Sequence, residues 1–221
     1  MHRAVATWLV LLHEETGRVK EAGKAAGEYL TGRDAWTMPL VPSVWADPSV
    51  FFQKAQLRAR LISAEDYVAR RAAWLRTWEG RLPDEMRGAA WLMAYASPAG
   101  TAEDAREALE AQPKMKPLEY YTLDFPLWDG MVGKVYLLAG RPDEALPHLQ
   151  RAVAACDAVN IPIQHTVAEY HLAMAHEALG HKAAACDAYK VVLDRWSPAK
   201  RSVTAKAAAE RAKALGCPRA P

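Results

Sequence analysis

Apolar residues recur along most of this chain at three- and four-residue intervals, the period of helices that bury one face. The clearest stretch runs from 130 to 153. Val132, Gly133, Tyr136 and Leu137 line a helix that stops at Gly140, and Pro142 sits in the first turn of the next, where its missing N–H costs nothing. Ala145, Leu149, Ala152 and Val153 carry that second helix's apolar face. The same layout surrounds Gly180, with Leu172, Ala173 and His176 before it and Ala185, Tyr189, Val192 and Leu193 after. It also surrounds Gly17, with Leu9, Val10 and His13 before it and Ala22, Ala26, Tyr29 and Leu30 after. Two helices meeting at a glycine predict a hairpin: Gly adopts the left-handed conformation that stops the first helix, and a small residue soon afterwards lets the second approach closely.

A glycine followed five residues later by alanine recurs at Gly17 and Ala22, Gly100 and Ala105, Gly140 and Ala145, and Gly180 and Ala185, with 40 residues separating each of the last three glycines. Ser63 and Thr101 each stand three residues before an aspartate, Asp66 and Asp104, and read as helix starts. Residues 82–96 carry Trp91, Leu92 and Tyr95 at helical spacing and stop before Pro98. Residues 47–62 read as a helix leading into the one after Ser63, with no glycine at the turn. Irregular stretches cover 32–48, with Trp36, Pro39, Pro42 and Trp45, and 111–128, with Pro113, Pro117, Tyr120, Tyr121 and Pro126. A last helix over 202–215, closed by Gly216 and Pro218, is polar on one side, as the end of a helical array requires. The expected organisation is a single all-α array over 1–221. Its hairpins fall near 3–31, 47–80, 83–112, 126–160 and 163–196, followed by the cap helix.

Composition agrees with a helical protein. The chain is skewed toward Ala and Leu, with Arg, Glu and Lys, all good helix formers; β-branched residues are sparse, and a hydrophobic content of 51% supports a packed core. A net charge of +2 argues against a surface that binds nucleic acid or an anionic membrane as a whole. The charge is unevenly spread: Lys200, Arg201, Lys206, Arg211, Lys213 and Arg219 face only Glu210 after residue 196, net +5, which leaves −3 for the rest. That basic patch reads as a solvated cap, or as a site for an acidic or phosphorylated partner. Cys156, Cys186 and Cys217 share no metal or disulfide-framework spacing and read as reduced thiols of a cytoplasmic protein. His2 and Arg3 before the apolar run 4–12 imitate a secretory signal, but His13, Glu14, Glu15 and Thr16 follow with no small-residue cleavage site, so the run reads as the first core helix. No segment is apolar over the length a membrane span needs.

The copies around Gly140 and Gly180, and in part those around Gly17 and Gly100, resemble the tetratricopeptide repeat (TPR) superfamily. They carry its Leu or Val, small residue, large residue, Gly, Ala, aromatic or Leu, and Ala or Val in order. The 40-residue period exceeds the usual 34 or so, and Asp157 stands where a proline often closes the repeat. The segments 137–145, 184–193 and 201–217 are similar to the C-terminal TPR region of large bacterial Ser/Thr protein kinases of the myxobacterial type. The superfamily resemblance implies a right-handed superhelix that binds a protein or peptide partner on a concave surface built by the first helix of each hairpin. Carried onto this chain, the groove would comprise Lys134, Leu137, Leu138, Tyr170, Met174 and Glu177. The kinase resemblance implies a regulatory or docking region. Two alternatives are a fragment of a kinase whose catalytic domain lies outside this chain, and a small-ligand sensor with an enclosed pocket.

Catalytic motifs are missing from the sequence. There is no P-loop, no Gly-x-Ser-x-Gly and no Val-Ala-x-Lys; Gly32, Arg33 and Asp34 lack the catalytic-loop Asn, and Asp124 and Phe125 precede Pro126 where a metal-binding loop needs Gly. No cofactor or metal motif is present. His171 and His176 are five residues apart, about 140° around a helix, so they cannot chelate one ion. His176 is expected in the core, with His165, His171 and His181 on a solvated or groove surface. The acidic pairs Glu65 with Asp66 and Asp143 with Glu144 fall in first turns, where they favour the helix dipole. Trp74, Trp78 and Trp91 read as core, and Trp36 and Trp45 as core or as partner anchors.

Overall fold

The computed structural model describes residues 3–32, 44, 47–115, 126–155, 158–196 and 198–218. Trp36, Trp45, Tyr120, Tyr121, Cys156, Asp157 and Arg219, and the prolines at 39, 42 and 117, lie outside the described residues. Among the described residues the regular structure is entirely helical. The elements are α1 (Arg3–Glu15), α2 (Val19–Gly32), α3 (Ser49–Arg58), α4 (Ala64–Glu79), α5 (Arg87–Trp91), α6 (Ala102–Ala111), α7 (Pro126–Leu138), α8 (Pro142–Ala154), α9 (Pro162–Ala178), α10 (Lys182–Trp196) and α11 (Val203–Leu215). They fall into two compact units, Met1–Pro98 with Glu110–Tyr121, and Ala99–Leu109 with Thr122–Pro221.

In the first unit, Ala6 and Val10 of α1 pack against Ala22, Ala25 and Ala26 of α2, with Phe52 and Ala55 of α3 closing the cluster. The signal-like run 4–12 is therefore a packed helix. A second cluster gathers Tyr67, Trp74, Leu75 and Trp78 of α4 with Ala89 and Ala90 of α5, Ala94, Val44 and Val50. Trp74, Trp78 and Trp91 are all buried. Ser63 caps α4 reciprocally: its hydroxyl accepts from the Asp66 N–H and its own N–H donates to the Asp66 carboxylate. The segment 82–96 is not one regular helix. A 3₁₀ turn at Asp84–Met86 leads into α5, which widens into a π-helical turn at Leu92–Ala96.

The second unit contains the hairpins α7–α8 and α9–α10, followed by α11. At Gly133 α7 and α8 approach closely: a Cβ there would lie 2.6 Å from Leu149 Cγ and 3.2 Å from the Ala145 carbonyl oxygen. The core joins Leu137, Ala145, Leu149, Leu172, Ala173, Ala185, Tyr189 and Val192 with Ala208 and Ala212 of α11.

Helix ends carry the repeat. Gly17, Gly140, Gly180 and Gly216 have φ of 71°, 77°, 75° and 70°. Each shows the same pair of reversed bonds; at Gly140 its N–H reaches Leu137 O at 3.0 Å and the Arg141 N–H reaches Tyr136 O at 2.9 Å. Gly100 departs from the expected pattern. It is not among the left-handed glycines, because the preceding helix has already ended near Pro98; its N–H instead donates to the Asp104 carboxylate, which with Thr101 starts α6. A further turn of the same type occurs where no glycine stands: Arg60 takes φ 58°, with Arg60 N–H to Leu57 O and Leu61 N–H to Gln56 O both at 2.9 Å.

The expectation of reduced thiols is corrected. Cys186 of α10 and Cys217, just past α11, form a disulfide with their Cα atoms 5.4 Å apart and a sequence separation of 31. The pairing follows from topology, since α11 packs back along α10 and returns the chain beside that helix's first turns. Closing a loop of this length is worth about 3 to 4 kcal/mol in the chain-entropy account.

Candidate functional site

The six residues expected to line a groove lie on α7 and α9, which touch one another. The structure places them unequally. Leu137 is in the core and Tyr170 and Met174 pack partly buried against it, while Leu138 and Lys134 are half-buried. Glu177 is engaged where α9, α10 and α11 meet. Its carboxylate accepts the Tyr189 hydroxyl at 2.5 Å and both its oxygens lie 3.1 Å from Arg211 Nη1. Burial and then the hydrogen bond to Glu177 raise the Tyr189 phenol above its usual range, so it stays a donor. Tyr170 flanks this group, its ring 6.2 Å from that of Tyr189.

Arg211 is thereby separated from the rest of the basic patch. Lys200, Arg201, Lys206 and Lys213 are exposed, whereas Arg211 is half-buried against Glu177.

His165 and His176 fall differently from expectation, whereas His181 is exposed as expected. His165 is buried, and Arg195 Nη1 lies 2.9 Å from its Nδ1. Glu169, one turn on and also buried, is 3.9 Å from the same guanidinium; burial pushes its carboxyl up, opposed by Arg195 and His165. His171 is half-buried on α9, and burial, with the nearby Lys134 ammonium second, pushes its imidazole down to about 3. His176 is not a core residue. It is half-buried with its Nδ1 3.3 Å from that of the exposed His181, and burial and then His181 lower its pKa.

Three polar groups escaped the sequence reading. On α7–α8, Asp129 Oδ1 lies 2.8 Å from both His148 Nδ1 and Arg151 Nη2, and Tyr136 stacks on His148. Burial pushes the Asp129 carboxyl up, but these partners outweigh it and hold it below the ordinary range. In the first unit, Arg71 is buried with its guanidinium 5.3 Å from the Tyr67 ring and 4.6 Å from that of Tyr95. Buried Asp47 accepts from Ser49 Oγ at 2.5 Å and Trp78 Nε1 at 3.2 Å. Helical spacing could have flagged His165 with Glu169, Tyr67 with Arg71 and His148 with Arg151; Asp129, Tyr95 and the pair of Asp47 with Trp78 reach these groups from other segments.

Among the described residues, no helix is long and apolar enough to cross a membrane and no group of three metal-ligating side chains is assembled. Together the fold and these side chains define an all-α protein built in part from glycine-turned helix hairpins. In comparison with known proteins, the chain matches no family model, no curated protein and no solved structure.

Proposed function

We propose that this chain is a non-catalytic interaction module whose second unit is built of TPR-like hairpins stacked in a right-handed superhelix. The observation that carries this reading is the shared ending of α7, α9 and α11: each closes on a left-handed glycine with the same two reversed bonds, and α7 and α9 each lead into a second helix whose core alanine lies five residues later. Equivalent first helices packed side by side present equivalent faces, and such a face can take an extended or helical peptide. The lining is Lys134, Leu138, Tyr170 and Met174, with Glu177 held in place by Tyr189 and Arg211. A mixed apolar and cationic lining fits a peptide with large apolar side chains and an acidic residue opposite Lys134. The resemblance of segments 137–145, 184–193 and 201–217 to kinase-associated repeats makes a Ser/Thr kinase the proposed host or partner. Selection from a displayed peptide library tests the reading. Binders lost on Lys134→Glu and on Tyr170→Ala support it; binders that both variants retain at full affinity refute the lining.

A further inference from the structure

We propose that Cys186 and Cys217 form a reversible thiol–disulfide site whose redox state sets whether α11 stays docked. The helix is held by little else that is large. Its buried positions are Thr204, Ala205, Ala208 and Ala212, so its contribution to the core consists of methyl groups and one threonine. Leu215 is only partly buried, and the Arg211 pair with Glu177 is part-exposed at both ends. A 13-residue helix is marginal on its own in water, so the order of α11 depends on that docking. The chain holds its N-terminal end close to the end of α10, and the disulfide holds the other end to the fifth residue of α10. Both cysteines are partly accessible, so a reductant can reach them.

The chemistry is a two-electron exchange with a dithiol. A thiolate of the reductant attacks one sulfur of the pair, the Cys186–Cys217 bond breaks, and the departing cysteine takes up a proton. The reductant's second thiol then displaces the other cysteine, leaving two protein thiols and an oxidised reductant. Loss of the tether lets α11 detach and breaks the Arg211 contact with Glu177. It also withdraws Ala208 and Ala212 from the core cluster they share with the buried Tyr189 and Val192 of α10. The device is independent of whether α7 and α9 bind a peptide.

Hydrogen exchange on the full chain in a Cys156→Ser background, before and after dithiothreitol, tests this. Alkylation followed by mass measurement establishes the thiol count in each sample. The expected result is an alkylation-resistant pair before reduction and two free thiols after it. With reduction, amide protection across 203–215 should fall at least tenfold while 130–153 stays unchanged. Cys217→Ser should show the low protection without reductant and no further response to it. Unchanged protection of 203–215 after verified reduction overturns the proposal, as does finding both thiols free in protein prepared without reductant.

Discussion

Arg60 and Gly140 hold the same left-handed backbone conformation, φ 58° and 77°, at the same place beyond their helices, with the same two reversed hydrogen bonds. For a residue with a Cβ this conformation costs about 1 to 2 kcal/mol, a cost Gly does not bear. Arg60 is exposed, so replacing it removes no core contact. Arg60→Gly should therefore raise stability by about 0.5 to 1 kcal/mol after the extra entropy of the unfolded chain is counted. Gly140→Ala should lower it by about 1 kcal/mol. Urea unfolding of both variants against the parent checks the opposite signs.

Asp47 is a buried acceptor shared by Ser49 and the Trp78 indole. Asp47→Ala strands a buried Trp78 N–H and should cost about 1 to 3 kcal/mol. Trp78→Phe in the Asp47→Ala background removes the stranded donor, so its added cost should be smaller than the cost of Trp78→Phe alone. A double-mutant cycle by denaturant unfolding measures the difference; additive effects would show that the bond contributes nothing.

Acid should destabilise the second unit through His171. Its imidazole stays neutral in the fold down to about pH 3, whereas in the unfolded chain it takes up a proton below about 6.5. A depressed folded pKa means that the contribution is fully present above pH 6.5 and is lost as pH falls toward 3, at no more than about 1.4 kcal/mol per pH unit from this group. The depressed Asp129 carboxyl adds loss in the same direction at the acid end, and the raised Glu169 carboxyl opposes it. Unfolding midpoints between pH 7 and 4 should fall in the parent and fall less steeply in His171→Gln.

What the sequence made legible follows from which signals are local. The ends of α1, α7, α9 and α11 were readable because only glycine adopts their closing conformation cheaply; the Arg60 turn was missed because it uses a residue that bears the cost. Gly100 carried the right spacing but sits at a helix start, where Thr101 and Asp104 satisfy the backbone. Leu137 and Leu138 both belong to the expected groove set, yet neighbours on a helix point about 100° apart, and Leu137 turns into the core. The cysteine pair, the Glu177 group and the Asp129 group depend on how helices lie against one another, which no single-helix pattern records.

The central claim is that α7 and α9 together present a peptide-binding face. Chemical-shift mapping of the ¹⁵N-labelled chain during titration with a library-selected peptide tests it most directly. The account predicts saturable shifts centred on Lys134, Leu138, Tyr170 and Met174. Saturable binding whose shifts fall elsewhere, for instance around Lys200, Arg201, Lys206 and Lys213, would contradict it.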